Sequence, residues 1–373
     1  MIINNALLKY DEESVLKLRS LYKNYGYNRY KMSKFEEYDL YVKNKDFLIS
    51  DSVITFTDTK GKLLALKPDV TLSIINNCKD DKGQVQKVYY DENVYRVSGS
   101  SQNFKEIMQT GLECIGDIDF YDVCEVLLLA ILSLRIIDND YVLSVSHIGL
   151  LKNILDDLKI ADSKKEKIIN LICAKNTDEL QAFCKENEYN SRIFESLNIF
   201  TLSFSSFVEA LDTIKSIEMS EDSKKAFEEF SKILNVIKDR GFEDKTVIDF
   251  SSVDGMKYYS GIVFKGYING IPESVCSGGQ YDKLMRKMGR SSSAIGFAVY
   301  LDALERFKEN EKQFDVDVVL LQDNSVDEVF EAVKKICDNG ESVRVCRNIP
   351  KNLSYKRVVK LSGKDLVTVS END

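Results

Sequence analysis

Several short polar segments of the sequence carry amide, carboxylate, guanidinium or phenol groups, all of which can hydrogen-bond a polar ligand. Taken singly, each segment is typical of ordinary structure: a Gly-Gly pair usually forms a turn, and a Tyr-Tyr pair in a strand usually places one ring in the core. Only their combination can indicate function. The segments are Leu66-Lys67-Pro68-Asp69-Val70-Thr71, Tyr95-Arg96, Gln109-Thr110-Gly111-Leu112-Glu113-Cys114-Ile115-Gly116, Lys257-Tyr258-Tyr259-Ser260-Gly261, Ser277-Gly278-Gly279-Gln280-Tyr281-Asp282 and Ala294-Ile295-Gly296-Phe297-Ala298.

Other common site signatures are missing. The sequence contains no P-loop, no G-x-S-x-G, no H-E-x-x-H and no G-x-G-x-x-G, so the usual phosphate, serine-hydrolase, zincin and dinucleotide motifs are excluded. The single histidine, His147, excludes a multi-histidine metal site and allows at most one histidine-dependent triad. We interpret His147 as a packed structural residue, and we expect no metal site and no cofactor.

Composition restricts the class of protein further. The chain has 373 residues, with 51 Lys and Arg against 60 Asp and Glu and a net charge of -9, which argues against a protein that mainly holds a phosphate backbone. None of the eight cysteines is in a Cys-x-x-Cys pair, so we expect buried free thiols in a reducing cytosol. The N-terminus does not resemble a signal peptide, and the most apolar stretch, Val126 to Leu134, is too short to span a bilayer. We therefore expect a cytoplasmic protein.

The elements that position the polar segments can be predicted from changes of hydrophobic period. Residues 53–66 and 85–98 are each predicted to form an antiparallel hairpin, the second with a turn at 91–93. A long helix is expected from about Tyr121 to Ile137, followed by a short strand, YVLSVS, just before His147. Residues from about 150 to 240 have helical spacing of Leu and Ile among charged residues, which predicts a helical insertion.

Strand patterns return after the insertion. Asn269-Gly270 lies between alternating runs and indicates a hairpin. Residues 294–309 are predicted to be helical, and residues 311–373 to form a small α/β unit. We thus predict an α+β protein with a mainly antiparallel sheet flanked by helices. Its core would span residues 1–310 and include the helical insertion at about 150–240. A small C-terminal α/β domain would span residues 311–373.

The order and spacing of the polar segments resemble the class II aminoacyl-tRNA synthetase core of the histidine-specific type, which implies the class II fold. In this resemblance Arg96 matches the motif 2 arginine, and the Gln109 segment matches the family's Q-x-G-x-E-x-x-G. Gly296-Phe297-Ala298 matches the start of motif 3. The two histidine-specific signatures match Tyr258-Tyr259-x-Gly261 and Gly278-Gly279-x-Tyr281-Asp282.

The resemblance also implies a ligand. Three of the matching residues would surround the α-amino end of a histidine-like ligand, namely Asp69, Thr71 and Gln109. Three more would surround the imidazole, namely Glu113, Tyr259 and Tyr281. This division makes physical sense, because carboxylates and hydroxyls accept hydrogen bonds from an ammonium and a buried Glu with a Tyr hydroxyl can pair both imidazole nitrogens. The alternative is that these groups only hydrogen-bond one another in a relic pocket.

Two departures from the family pattern bear on catalysis. Asp254 occupies the position of an arginine that faces the developing charge between carboxylate and α-phosphate, and Ala303 that of the motif 3 arginine. An aspartate about 4 Å from such a phosphate would cost on the order of 4 kcal/mol at an effective dielectric constant near 20. The neighbouring Lys257 would offset part of this cost. Because Arg96 is then the one catalytic arginine retained, we expect adenylation to be lost and no residue to be catalytic.

One branch of the family, the regulatory subunits of ATP phosphoribosyltransferase, has such losses, and the sequence resembles that branch. The resemblance implies a homodimeric core within a hetero-oligomer, commonly four plus four, with the short catalytic transferase subunit. It also implies activation of that subunit, feedback sensitivity to free histidine in the first step of histidine biosynthesis, and no role for tRNA. An aberrant aminoacyl-tRNA synthetase and a synthetase-like amino-acid sensor or adaptor of another pathway remain alternatives.

Overall fold

The structure is a computed structural model that describes residues 10–44, 53–79, 83–97, 103–253, 259–305, 314–322, 325–363 and 365–372. These residues fall into two units, one within Tyr10–Phe307 and the other within Lys308–Asp373. The helices in the described residues are α1 (Tyr10–Asn24), α2 (Tyr38–Lys43), α3 (Val70–Asn77), α4 (Phe120–Ile137), α5 (Ile148–Asp157), α6 (Asp162–Cys173), α7 (Thr177–Glu186), α8 (Ser191–Asn198), α9 (Phe207–Lys215), α10 (Glu221–Asp239), α11 (Asp282–Lys287), α12 (Asp302–Glu305) and α13 (Val326–Asp338). The strands are β1 (Asn28–Arg29), β2 (Phe35–Glu37), β3 (Thr55–Thr57), β4 (Leu63–Leu66), β5 (Val85–Val97), β6 (Phe104–Gly116), β7 (Tyr141–His147), β8 (Ser203–Phe204), β9 (Thr246–Asp249), β10 (Ile262–Ile268), β11 (Cys276–Gln280), β12 (Ser293–Tyr300), β13 (Val316–Leu321), β14 (Val343–Cys346), β15 (Tyr355–Ser362) and β16 (Asp365–Glu371).

The larger unit is built on a nine-stranded sheet in the order β1-β5-β6-β12-β11-β10-β7-β9-β8. Its neighbouring strands are antiparallel except for the parallel pairs β1/β5 and β7/β9. Helix α4 begins with a capping box between Asp119 and Asp122 and packs its apolar length against the central strands. Burial of Leu127, Ile131 and Leu134 along α4 makes it the centre of the core. The predicted α+β class, an antiparallel sheet flanked by helices, is confirmed.

The predicted turn at 91–93 is wrong, because β5 continues through it as one strand paired with β6. The polar residues that indicated a turn are held in the sheet by opposite charges. Asp91 lies 2.9 Å from Arg19 and 3.6 Å from Arg29, and its side chain is only 3% exposed. Glu92 lies 2.9 Å from the buried Lys67. Ion pairs with residues distant in sequence thus override the local turn preference.

The predicted helix at 294–309 is also wrong for its first part, since residues 293–300 form strand β12 between β6 and β11. The strand buries Ile295, Phe297 and Val299 on one side. Its other side carries the small residues Gly296 and Ala298. This is a period of two, the spacing of a strand, and among the described residues of the segment helical structure follows in the short α12.

Residues 148–239 are mainly helical and contain α5 to α10. Helix α10 buries an apolar stripe that includes Phe230, Ile233 and Ile237. The predicted long helix near 121–137 is confirmed as α4. The hairpin at Asn269-Gly270 is confirmed as the β10/β11 pair, although the two strands pair only from Gly266 and Cys276 outwards. A separate three-stranded sheet, in the order β2-β4-β3, contains the predicted hairpin of residues 53–66.

The smaller unit is a four-stranded sheet in the order β14-β13-β15-β16 with helix α13. Strand β13 is parallel to both β14 and β15, and β16 returns antiparallel to β15. Val318, Leu320 and Val359 of the sheet pack with Val329 and Ile336 of the helix. The unit therefore has an apolar core of its own.

The cysteines form no disulfide, as expected from their spacing. Five are buried, but Cys337 is exposed, so the expectation of burial does not hold for it. No helix among the described residues combines the length and the apolar character that crossing a membrane requires.

His147 ends β7 and is the N-cap of α5. Its Nδ1 accepts a hydrogen bond of 2.9 Å from the backbone N–H of Leu150, and the side chain is buried beside the ring of Phe230. Its Nε2 lies 4.0 Å from a carboxylate oxygen of Glu229 on α10. Burial lowers the pKa of His147 to about 4. The residue is thus a neutral helix cap; the sequence interpretation was a packed structural residue, and its capping role was not predicted.

This arrangement predicts a pH dependence of stability. Because the folded pKa is below the unfolded one, the stabilisation is present above pH 6.5 and is lost as the pH falls towards 4. His147→Asn keeps a capping side chain but removes the titration. Chemical denaturation of both proteins should show that the wild type loses on the order of 3 kcal/mol relative to the variant over this range. Parallel pH profiles would contradict the assignment of His147 as a neutral cap.

Candidate functional site

One face of the large sheet forms the floor of a small cavity. In the β6/β12 pair, Glu113 lies opposite Gly296, Gly111 opposite Ala298 and Gln109 opposite Tyr300. Residues that are paired across strands, or two apart along one strand, share a face of the sheet. The Gln-x-Gly-x-Glu spacing therefore places an amide and a carboxyl on one face with a gap between them.

The walls come from other elements of the same unit. Asp69 and Thr71 lie at the N-terminal end of α3, Arg96 lies near the end of β5, and Tyr259 and Tyr281 lie just outside β10 and β11. The cavity has a volume of about 40 Å³. Its lining includes every side chain predicted to contact a histidine-like ligand, namely Asp69, Thr71, Gln109, Glu113, Tyr259 and Tyr281, together with Arg96. Their role in binding such a ligand stays a prediction.

Glu113 is the most buried carboxyl group of the cavity, with 2% of its surface exposed. Thr71 donates a hydrogen bond of 2.7 Å to its Oε1, and Tyr281 donates one to its Oε2. Burial raises the pKa of Glu113 to about 8, although the two hydrogen bonds oppose the shift. At neutral pH the carboxyl is therefore largely protonated, so it has a proton to donate as well as oxygens that accept.

Asp69 has a structural role that does not depend on a ligand. It is the N-cap of α3, and its Oδ1 accepts a hydrogen bond of 2.8 Å from the backbone N–H of Leu72. Burial raises the pKa of Asp69, while the charge of Arg96 lowers it. Arg96 is held in place by a hydrogen bond of 3.1 Å from its Nε to the carbonyl oxygen of Pro68. The two opposite charges thus lie near each other at one end of the cavity.

Gln109 carries an unused donor. Its side chain is 3% exposed, and its Nε2 makes no hydrogen bond within the described residues. A buried amide donor without a partner costs about 1–3 kcal/mol. An acceptor atom of a ligand at this end of the cavity would remove that cost.

Two glycines are required by the side chains that cross them. A Cβ on Gly296 would lie 1.7 Å from Oε2 of Glu113, and a Cβ on Gly111 would lie 2.6 Å from the hydroxyl of Tyr90. Both distances are far below van der Waals contact. The glycines of the two sequence motifs therefore make room for Glu113 and Tyr90.

Two lining residues, Tyr90 and Tyr300, were missed by the sequence analysis, and a third, Ser277, was in a polar segment but was given no role. The Tyr300 hydroxyl lies 2.6 Å from Oγ of Ser277, so the two side chains are hydrogen-bonded across the cavity wall. The signal that could have identified Tyr300 is its alternation with Gly296 and Ala298. That signal was concealed because residues 294–309 were interpreted as a helix.

Two predicted positions cannot be compared with the site. Asp254 lies outside the described residues, as do Lys257 and Tyr258. Ala303 belongs to helix α12, but its side chain is likewise outside the described part. The loss of the two arginines therefore remains an inference from the sequence.

A larger, open cleft of about 840 Å³ lies elsewhere on this unit, beside α2 and the C-terminal ends of α3 and α11. Its lining includes Glu36, Asp39, Lys43 and Lys287. None of the predicted site residues lines this cleft. We therefore place the candidate site in the smaller cavity, where the side chains are convergent and buried.

Comparisons of sequence agree with the motifs that line the cavity. A family model described as "Histidyl-tRNA synthetase" matches residues 5–304. The chain is 27% identical to an "ATP phosphoribosyltransferase regulatory subunit" of Clostridium acetobutylicum, over 92% of this chain and 87% of that protein. It is also 27% identical to a "Histidine--tRNA ligase" of Methanocaldococcus jannaschii, over 94% of this chain and 87% of that protein.

Solved structures share the fold. An "ATP phosphoribosyltransferase regulatory subunit/histidyl-tRNA synthetase" from Bacillus halodurans is similar with a TM-score of 0.78 and 23% identity, covering 95% of this chain and 94% of that chain. A chain of the "ATP phosphoribosyl transferase (HisG:HisZ) complex" from Thermotoga maritima is similar with a TM-score of 0.61 and 21% identity, covering 78% of this chain and 97% of that one. At these identities the likeness shows the fold.

The raised pKa of Glu113 predicts how stability depends on pH. Stability that depends on the protonated carboxyl is present below pH 4.5 and is lost as the pH rises through about 8. Glu113→Gln removes this titration. Thermal and urea unfolding at several pH values should show the wild type losing on the order of 4 kcal/mol relative to the variant over this range.

The matched control is Glu195→Gln, which changes an exposed glutamate on α8. Its pH profile should follow that of the wild type. If Glu113→Gln also follows the wild type, then Glu113 does not bind its proton more tightly in the folded state.

Proposed function

The chain belongs to the histidyl-tRNA synthetase family, and from this membership we propose that it is a non-catalytic regulatory subunit of ATP phosphoribosyltransferase in histidine biosynthesis. The observation that carries the proposal is that the sequence keeps one part of the family's motifs and departs from another. The buried polar cavity around Glu113 is kept, whereas the positions of the two adenylation arginines hold Asp254 and Ala303. The names of the similar regulatory subunits support the same conclusion.

The partner in this proposal is the short catalytic subunit of the transferase. The structural neighbour from Thermotoga maritima is a complex named for two components, which supports an assembly of this kind. We propose that the chain forms a homodimer within a hetero-oligomer of four plus four. In that assembly it would activate the catalytic subunit and contribute to feedback inhibition by histidine.

The cavity is proposed to be the site of free histidine. Glu113 and Tyr281 would pair the imidazole nitrogens, and Gln109 would donate its unused Nε2–H to the amino-acid end. A water molecule needs roughly 10–15 Å³ of accessible space, so a cavity of about 40 Å³ has room for about three. Histidine is larger than three water molecules. The cavity must therefore widen for it, and the cost of widening lowers the apparent affinity.

Reconstitution tests the regulatory role. Adding the purified chain to a short-form catalytic subunit should raise its turnover at saturating substrates and produce a complex that co-elutes in size-exclusion chromatography. A histidyl-tRNA synthetase at the same concentration is the control, because it shares the fold without the proposed partner. Absence of a complex at micromolar concentrations of both subunits would overturn the proposal.

An aminoacyl-tRNA synthetase is the second candidate, favoured by the similarity to the Methanocaldococcus jannaschii ligase over 94% of this chain. It requires adenylation of histidine. Because an aspartate replaces a cation near the phosphate, we expect no histidine-dependent exchange of pyrophosphate into ATP. The exchange assay uses the same synthetase as a positive control. Exchange by this chain above the no-histidine blank would favour the second candidate.

A further inference from the structure

Tyr300 occupies a particular place on the floor of the cavity. Along β12 it follows Gly296 and Ala298 on the same face, and it lies opposite Gln109 of β6. Glu113 lies opposite Gly296, four residues away along the strand, which corresponds to about 13 Å. Tyr300 and Glu113 thus mark opposite ends of one groove in the sheet.

The side chain of Tyr300 is tilted away from the position directly above its own backbone. Its hydroxyl lies 2.6 Å from Oγ of Ser277, and Ser277 is paired with Ala298 rather than with Tyr300. Ser277 belongs to β11, which lies on the other side of β12 from β6, so the side chain leans towards β11 and along β12 towards the position of Ala298. Ala298 has too small a side chain to keep the ring away. Tyr300 consequently lines the cavity at the end opposite Glu113.

The ring is held by one hydrogen bond and by its burial in the cavity wall. The phenol is hydrogen-bonded to Ser277, which is 8% exposed, and it lines the cavity together with Arg96 and Gln109. Burial raises the pKa of Tyr300, and Arg96 lowers it. The ring is therefore a neutral, anchored wall at the end where the amino and carboxyl groups of an amino acid would lie.

We propose that Tyr300 is a specificity-determining residue that limits the cavity to a free amino acid and excludes ligands extended beyond the carboxylate. This inference rests on the proposed binding of histidine with its imidazole at Glu113. A ligand in that orientation directs its carboxylate towards the Tyr300 ring. Any group attached to the carboxylate must pass the ring, so esters, amides and acyl phosphates of the amino acid are rejected by size.

The test compares three ligands by isothermal titration calorimetry on the full chain: L-histidine, L-histidine methyl ester and L-histidinol. The ester adds a group beyond the carboxyl carbon and also removes the negative charge. Histidinol removes the charge without adding length, so it separates the effect of charge from the effect of size. The variants are Tyr300→Ala, which removes the ring, and Tyr300→Phe, which keeps it.

In the wild type the ester should bind at least tenfold more weakly than histidinol. In Tyr300→Ala this difference should fall to threefold or less, whereas Tyr300→Phe should retain most of it. Unfolding curves establish that the variants are folded. If Tyr300→Ala is unfolded, Tyr300→Leu replaces it, because leucine lacks the part of the ring that reaches Ser277.

Two failures are distinguishable. A wild type that binds histidinol and the ester equally, or a truncated variant that discriminates as the wild type does, overturns the role of Tyr300 and leaves histidine binding intact. If the wild type binds none of the three ligands, histidine binding in this cavity and the size limit are both overturned. Activation of the catalytic subunit is measured separately, so the regulatory role stands or falls on the reconstitution alone.

Discussion

The burial of one carboxyl group, that of Glu113, constrains most of the candidate site. A carboxyl that is 2% exposed is stable only if its oxygens are hydrogen-bonded or it keeps its proton. Glu113 is both hydrogen-bonded and protonated, and this arrangement places requirements on the residues around it. Thr71 must be presented by the first turn of α3, Tyr281 must follow the end of β11, and position 296 must lack a side chain so that the carboxyl can cross the neighbouring strand. A single buried group thus fixes the relative positions of a helix, a strand end and a strand interior.

The sequence predicted the class of fold correctly, and it predicted which polar residues lie together in the cavity. It was less successful for the local secondary structure, both in the sheet and at the cavity. Gln109, Gly111 and Glu113 are two residues apart, so their common face follows once the segment is taken to be a strand. The turn predicted at 91–93 failed because local preference favours a turn, whereas Asp91 is neutralised by Arg19 and Arg29, which are distant in sequence. The role of Tyr300 could not be predicted for a related reason. Its ring leans towards Ser277, and a tertiary hydrogen bond leaves no periodic trace in the sequence.

In this cavity most polar groups are already hydrogen-bonded to one another. In an active site that is ready for its substrate, such groups are free to bind the substrate. Glu113 accepts hydrogen bonds from Thr71 and Tyr281. Asp69 accepts one from the backbone of its own helix, and the hydroxyl of Tyr300 is hydrogen-bonded to Ser277. A ligand gains the unused Nε2–H of Gln109 directly, but it must replace the bonds of Glu113 and Tyr281, and that exchange weakens its binding. It also couples occupancy to the elements that supply the bonds, because displacing Thr71 or Tyr281 acts on α3 and on the end of β11.

The strand order of the large sheet has a consequence for synthesis on the ribosome. Strand β6 pairs with β5, its neighbour in sequence, but its other edge is covered by β12, which begins about 180 residues later. At roughly 5–20 residues per second, that edge stays unpaired for on the order of 10–35 s while the helical insertion is made and folds through local contacts. An apolar strand with a free edge invites pairing with other chains. The edge of β6 is therefore open to such pairing for a substantial part of synthesis, and the insertion helices are complete before the centre of the sheet can close.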